Sequence, residues 1–285
     1  ITPIETNRDK QSEFLTEIQN TEVTPIEPVF VDFSKDMSKG SVAEGVELLY
    51  KKNEINDVTT LTSVFDRGTQ SDPRLDLAFD YLGYLGTPTR TAEQIKKELY
   101  ELACYQRLSC GPTQSSIGVS GLDKNVGKAM DIVEDLIFNA QPDTAILAGL
   151  KSDIFKSRSD SKLSQRACFS ALQKYLFYGP EFIRNTTLTN EQIAALTSDE
   201  LLQAVRDLYT KRHDILYYGP SDETTAKNMI AEHHKISENP EPLERIHPQA
   251  RQVTSSEVFI APYDANQFYY LQYSDRGEKF NVAND

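Results

Sequence analysis

The sequence has little positive charge and no long hydrophobic run. Its 285 residues include 30 lysines and arginines against 43 aspartates and glutamates, which gives a formal net charge of −13. Such an acidic chain lacks the cationic surface that binds phosphate backbones, so we expect no nucleic-acid partner. No apolar run approaches the ~20 residues that a membrane-spanning helix needs, so we expect no membrane partner either.

Cysteine and histidine are also scarce, with three and four residues. Cys104, Cys110 and Cys168 are an odd number and include no CxxC pair, so we predict neither a disulfide framework nor a structural zinc site. The compartment therefore stays undecided between cytoplasm and periplasm for what we expect to be a soluble protein. The chain starts at Ile1 without a signal-peptide pattern, which indicates either a processed chain or a piece of a longer one.

Breaks in composition predict the domain organisation. A Pro-Ile-Glu-Pro stretch at residues 25–28 and a polar, proline-containing stretch at residues 237–251 are both typical of linkers. Two strand-like runs follow the second linker, and two strands without further partners are not stable alone. We therefore expect a helix and linker over residues 1–28, a main domain over 29–236, a linker over 237–256 and the cut-off start of a second domain over 257–285.

Alternating and helical patterns predict an α+β domain. Residues 46–50 and 58–65 alternate like strands and are joined by a polar loop suited to a hairpin. Further strands are predicted at residues 29–33, 106–110, 115–122 and 213–218. Helices are predicted at 7–20, 75–85, 91–104, 126–138, 143–176 and 222–234, and residues 189–211 are predicted to form one or two more. This order differs from the strict alternation of a doubly wound sheet.

Short motifs follow one another along residues 25–275. They are Val31-Asp32-Phe33-Ser34-Lys35-Asp36-Met37, Phe65-Asp66-Arg67-Gly68 at the end of the expected hairpin, Gly86-Thr87, Ser120-Gly121-Leu122 and Tyr217-Tyr218-Gly219-Pro220. In this order they resemble the M16 metallopeptidases, the pitrilysin and insulysin group, and most of all the first domain of the non-catalytic C-terminal half in two-halved members. The resemblance implies an M16 peptidase-like (LuxS-MPP-like) fold, an antiparallel-dominated sheet with helices packed on one face.

The helix before Gly86-Thr87 decides what this resemblance implies for chemistry. In active M16 members that helix carries HxxEH, two zinc-binding histidines and a glutamate that activates water. Counting back from Gly86-Thr87 places Leu77 and Tyr81 at the histidine positions and Asp80 at the glutamate position. The third zinc ligand, a glutamate in the family, falls near residues 150–156, where only Asp153 stands. We therefore expect no catalytic residue and no metal site in this chain.

The resemblance thus implies a chain that is inactive alone, a non-catalytic fragment of a zinc-dependent M16-type endopeptidase that acts on peptides. Such a fragment forms part of the substrate chamber. Zinc is expected in a missing N-terminal half, and the implied partners are that catalytic half of the same polypeptide and an unfolded peptide substrate. The alternative is a catalytically dead scaffold, or a peptide-binding or assembly module, of the same fold.

Other candidate sites are weaker. His233 and His234, near Glu232 and Glu238, point ~100° apart on a helix and so cannot share an ion; we expect them to face solvent. His213, at a helix-to-strand junction, is expected to be structural, as are Cys104 and Cys110. Serine-hydrolase and nucleotide-binding motifs do not occur. Core packing is favoured over a peptide-binding surface for an aromatic cluster of Tyr175, Phe177, Tyr178 and Phe182.

Overall fold

The computed structural model describes residues 10–28 and 30–274, and the chain divides into two compact units, Ile1–Asp36 and Met37–Asp285. In the first unit, helix α1 (Glu13–Asn20) begins where the Ser12 hydroxyl accepts the Leu15 N–H at 3.1 Å. A turn follows in which the Asp36 carboxylate accepts the Asp32 N–H at 2.7 Å. The strand predicted at residues 29–33 is therefore wrong for its described part, because Asp32 bends the backbone; residue 29 lies outside the described residues.

The second unit is built on one sheet. The described residues form six strands: β1 (Ser38–Ala43), β2 (Val46–Lys52), β3 (Val58–Phe65), β4 (Cys104–Cys110), β5 (Ser115–Leu122) and β6 (His213–Gly219). Their order across the sheet is β1-β2-β6-β3-β5-β4, with β2 and β6 parallel and every other pair antiparallel. The sheet is mixed and mostly antiparallel, as the sequence predicts.

The predicted hairpin between β2 and β3 is wrong. Strand β6 lies between them, pairing Tyr50 with Tyr217 on one side and Leu61 with Tyr217 on the other. The loop after β2 is shaped for this arrangement, since the Asn53 N–H donates to the Gly219 carbonyl oxygen at 2.7 Å and its side chain to Val58 at 2.8 Å. The hairpin partner of β2 is β1, through a turn in which Gly45 has φ 73°.

Eight α-helices and one 3₁₀ helix accompany the sheet in the described part of this unit. The helices of this unit are α2 (Leu75–Leu82), α3 (Ala92–Glu101), α4 (Asp123–Asn139), α5 (Thr144–Ser161), α6 (Gln165–Thr186), α7 (Asn190–Ala195), α8 (Ser198–Arg206) and α9 (Glu223–His233), with a 3₁₀ helix at Asp207–Thr210. The predicted single helix over residues 143–176 is divided at Ser164, whose hydroxyl caps α6. Gly179, with φ 77°, kinks α6 just beyond residue 176, where the sequence predicts the helix to end. No helix among the described residues is long and apolar enough to cross a membrane.

One face of the sheet is buried, and the opposite face is exposed along β6. Along β6, Ile215 and Tyr217 are buried, while Leu216 and Tyr218 are each 40% exposed. Helix α4 packs against β3, β4 and β5, and α2 packs against β4 and α8. The hydrophobic core therefore lies between the buried face and these helices, with Phe65 and Leu61 fully enclosed.

The C-terminal part of the described chain is extended. The strands expected within residues 257–274 form no ladder in the described residues. Instead, this segment packs on α6, where Phe259 meets Tyr175 at 5.6 Å between ring centroids and Tyr273 meets Phe177 at 5.0 Å. Tyr178 stacks on Phe182 of the same helix. The predicted aromatic cluster thus packs along α6 and against the C-terminal segment, and not in the core of the sheet.

Candidate functional site

Helix α2 buries two of the three positions of the expected degenerate motif and exposes the third. Leu77 is 6% exposed and belongs to the hydrophobic core, whereas Asp80 is exposed. Tyr81 is fully buried. The side chains at the two histidine positions are thus both used for packing, so this helix presents no pair of ligands to a metal.

The Tyr81 hydroxyl is tied to the start of two other helices. It accepts the Asp143 N–H at 2.7 Å and lies 3.0 Å from the Asp143 carbonyl oxygen and 2.9 Å from the Ser198 hydroxyl. Asp143 is the N-cap of α5 and Ser198 is the first residue of α8. We call this set of three residues the Tyr81 network. Its hydrogen bonds link α2, α5 and α8 through uncharged groups.

Asp80 and Asp153 are the two carboxylates that the resemblance selects. Burial of part of its surface, and then the Asp76 carboxylate one turn earlier, raise the pKa of Asp80 above its usual value. Asp153 is exposed on α5. In the described part of the chain, no group of three or more histidine, cysteine, aspartate or glutamate residues is placed to hold a metal ion.

The histidines are arranged differently from the prediction. His234 is 6% exposed, so the expectation that it faces solvent is wrong. Its Nε2 lies 2.8 Å from Nε2 of His213, and its Nδ1 lies 2.5 Å from the Glu134 carboxylate. Glu134 stands 100 residues earlier, on α4, so no local spacing could have revealed the pair. We call Glu134, His234 and His213 the histidine network.

His233 has a different role from its neighbour. Its ring is partly exposed, with Nδ1 2.9 Å from the Asp131 carboxylate on α4. It also covers Gly127, where an added Cβ would lie 2.5 Å from the His233 ring. Glu232 and Glu238 are exposed. The two adjacent histidines thus both attach α9 to α4, one at the surface and one inside.

The cysteines have the environment of structural residues. Cys104 is 5% exposed, and burial raises the pKa of its thiol. Burial likewise raises the pKa of Cys110, whose thiol lies 3.4 Å from the Ser115 hydroxyl. A raised pKa leaves less thiolate at neutral pH, which fits a structural role for both residues.

A cavity of about 540 Å³ lies between α6 and the extended C-terminal segment. Its wall includes Leu172 and Leu176 of α6 together with Ile260 and Tyr270 of the segment. None of the residues that line it belongs to α2 or to the histidine network. The cavity is formed where an extended stretch of chain covers a helix.

Comparison with known proteins identifies the fold. No family model matches the chain, and no curated protein matches it. A solved structure described as a peptidase M16 inactive domain from Pseudomonas fluorescens superposes with a TM-score of 0.62 at 16% identity, covering 75% of this chain and 54% of that one. The chain has the fold of the M16 peptidases. The resemblance drawn from the motifs is confirmed at the level of fold.

Two larger proteases superpose on the chain as well. The periplasmic protease PqqL from Escherichia coli matches with a TM-score of 0.61 at 19% identity, over 84% of this chain and 29% of its own length. The ferredoxin protease FusC, solved in complex with Arabidopsis ferredoxin, matches with a TM-score of 0.65 at 10% identity, over 81% of this chain and 27% of its own. The chain therefore spans about half or less of the length of the structures it matches.

Proposed function

We propose that this chain is a non-catalytic part of an M16-type zinc endopeptidase and forms part of the wall of its substrate chamber. A separate catalytic half of the same polypeptide holds the zinc, and an unfolded peptide is the substrate. The observation that carries the proposal is the burial of Leu77 and Tyr81 on α2, at the two positions where active members place zinc-binding histidines. The likeness to an inactive M16 domain supports the same assignment.

The packing of α2 explains why this helix is incompatible with the catalytic motif. An imidazole at position 77 would replace a core side chain that is 6% exposed, at a cost of a few kcal/mol. An imidazole at position 81 would remove the hydroxyl that receives the Asp143 N–H and reaches Ser198. The side chains at these two positions therefore pack in the core and hydrogen-bond to α5 and α8.

The open face of the sheet supports a role as a chamber wall. With helices over the other face, β6 exposes Leu216 and Tyr218, each by 40%. The neighbouring strand β3 adds the hydroxyls of Thr60 and Thr62 on the same face, since they pair with Tyr218 and Leu216. A surface of aromatic, aliphatic and hydroxyl groups suits contact with an extended peptide of varied sequence. In this proposal the helices of the M16 peptidase-like α+β domain cover one face of its sheet, and the opposite face borders the substrate.

The extended C-terminal segment fits a further domain in the longer protein. Val258 and Ile260 are 84% and 79% exposed, and Phe268 is 86% exposed, in a stretch whose backbone forms no ladder among the described residues. Apolar side chains of this kind on an extended backbone are suited to pairing with other strands. We propose that residues 257–285 begin a second M16-like domain, and that residues 1–28 lead in from the catalytic half.

Zinc content and activity test the proposal together. We expect the purified chain, dialysed against trace zinc, to retain almost none by elemental mass spectrometry and to leave an unfolded protein substrate intact. The polypeptide encoded by the whole reading frame should bind zinc and hydrolyse the same substrate. Close to one zinc per chain in the fragment would contradict the assignment. A reading frame without HxxEH upstream of Ile1 would replace it with the scaffold or peptide-binding module of the same fold.

A further inference from the structure

The histidine network joins three elements that are distant in sequence. Glu134 belongs to α4, His213 is the first residue of β6, and His234 follows the last residue of α9. Their exposed fractions are 2%, 5% and 6%. An ionisable group of this kind is rarely buried unless its charge is balanced within the cluster.

The hydrogen-bond partners fix where most of the protons lie. Nδ1 of His213 is 2.9 Å from the Lys211 carbonyl oxygen, which only accepts, so this nitrogen carries a proton. In neutral His213 the Nε2 atom is then an acceptor, and the Nε2 atom of His234, 2.8 Å away, must donate.

The last proton lies between His234 and Glu134. Nδ1 of His234 is 2.5 Å from Oε1 of Glu134, while Oε2 accepts the Lys235 N–H at 2.9 Å. A single proton between His234 Nδ1 and Glu134 Oε1 completes this hydrogen bond, whether the nitrogen or the oxygen carries it. The network as a whole is then neutral in both cases, which is the condition for its burial.

Aromatic rings contact the histidine network, and the nearby charged side chains have other partners. The Phe65 ring lies 4.7 Å from the His213 ring, and the Tyr209 ring lies 5.5 Å from that of His234. Burial, and then the Glu134 carboxylate, raise the pKa of the Tyr209 hydroxyl well above its usual value. The Lys235 ammonium lies over the Phe138 ring at 4.3 Å, and that of Lys211 pairs with Glu241. At the surface beside the network stands the pair of His233 and Asp131.

We propose that the histidine network is a pH-sensitive latch, which fastens the end of α9 to α4 and β6 and opens when His213 takes up a second ring proton. That proton would sit on Nε2, where it meets the N–H of His234 Nε2 at 2.8 Å. The central hydrogen bond is lost, and a net positive charge is left inside the core. The latch depends only on residues of this chain and is independent of the proposed peptidase role.

The acid range in which the latch opens follows from the position of His213. Burial, foremost, and the neighbouring His234 lower the pKa of His213 to about 4, although its bond to the Lys211 carbonyl acts in the opposite direction. An unfolded chain takes up this proton near pH 6.5, so it binds more protons than the folded chain between that pH and about 4. Folding stability therefore falls as the pH is lowered through this range, by about 100-fold in the unfolding equilibrium constant between pH 7 and pH 4.

His213→Gln tests the latch because glutamine offers His234 an uncharged acceptor that does not titrate. Urea unfolding is measured from pH 7 to pH 4 for the wild-type chain, for H213Q and for the matched control H247Q, which alters an exposed histidine. We expect the wild type and H247Q to share the acid-dependent loss and H213Q to lose most of it. Identical pH profiles for all three chains would overturn the proposal.

Two measurements on the wild-type chain keep the test decisive if H213Q does not fold. Imidazole nitrogen NMR should show His213 neutral and protonated at Nδ1 down to about pH 4. Amide hydrogen exchange should show α9 losing protection at a higher pH than β3 and β5. A His213 ring that titrates near 6.5, simultaneous loss of protection in α9 and the sheet, or a stabilising effect of added zinc at neutral pH would each overturn the proposal.

Discussion

The Tyr81 network and the histidine network are two buried polar clusters that fasten helices in different ways. The first contains a phenol, a backbone amide, a carbonyl oxygen and an aliphatic hydroxyl, none of which changes charge near neutral pH. The second contains an imidazole pair and a carboxylate that share a proton. Tyr81, which the resemblance predicts at a catalytic histidine position, thus belongs to the uncharged network, while the groups that can exchange protons lie on other elements.

The largest expected effect comes from removing the carboxylate of the histidine network. Glu134→Ala leaves His234 without an acceptor at Nδ1 and the Lys235 N–H unpaired, so we expect a loss of about 3–5 kcal/mol in the free energy of unfolding. Urea denaturation at pH 7 measures it. Glu232→Ala, an exposed glutamate on α9, is the matched control and should change little. A small effect at position 134 would show that the network carries no stability.

Leu77→Ala sharpens the comparison by testing whether the first motif position is core. The residue is 6% exposed, and truncation leaves a cavity against the elements packed on α2, so we expect a loss of about 3 kcal/mol at every pH. Leu163→Ala provides the control, because Leu163 is 78% exposed. Equal and small losses for the two variants would argue that α2 is not packed as described. Thermal or urea unfolding gives the answer.

Tyr81→Phe removes one hydroxyl and keeps the ring. The Asp143 N–H and the Ser198 hydroxyl lose a partner, so we expect a cost of about 1–2 kcal/mol. Because the hydrogen-bonding groups of this network are uncharged, the cost should be the same at pH 5 and pH 8. A cost that varies with pH would remove the contrast between the two networks. Tyr100→Phe, at a site that is 83% exposed, is the control.

The smallest effect is expected at Asp80. Its pKa is raised by burial and by Asp76, so the folded state holds the proton more tightly than the unfolded one, and stability falls as the pH rises through this pKa. Asp80→Asn should therefore stabilise the chain slightly at pH 7, by less than about 0.5 kcal/mol, and lose this gain near pH 3. Asp153→Asn, on α5, should show no such gain. Destabilisation of D80N at neutral pH would show that the carboxylate has a favourable partner.

Local patterns in the sequence predicted the centre of the sheet well. Strands β3 and β5 have the predicted bounds: burial alternates along β3, and Ile117 and Val119 of β5 are buried two residues apart. Strand β1 was missed, since Ser38-Lys39-Gly40-Ser41 is a polar stretch that forms an edge strand. The motif order also indicated the M16 fold, which depends on the succession of elements along the chain.

Contacts between distant residues set the limit of that prediction. The burial of His234 depends on Glu134 and His213, which stand 100 and 21 residues away. The hairpin prediction failed for the same reason, because the partner that separates β2 from β3 arrives only at residue 213. Local sequence spacing predicts contacts within one helix or hairpin. The burial of His234 and the strand order of the sheet depend on contacts between elements that are distant in sequence.

The position of β6 has a consequence for how the chain acquires its fold. The strand that completes the middle of the sheet is the last of the six to be synthesised, so β2 and β3 emerge from the ribosome with unpaired edges. More than 140 residues separate β3 from β6, and closing so large a loop makes folding slow. A nascent chain that stops before His213 would expose two adjacent strand edges, and we expect such truncated products to require chaperones or to aggregate.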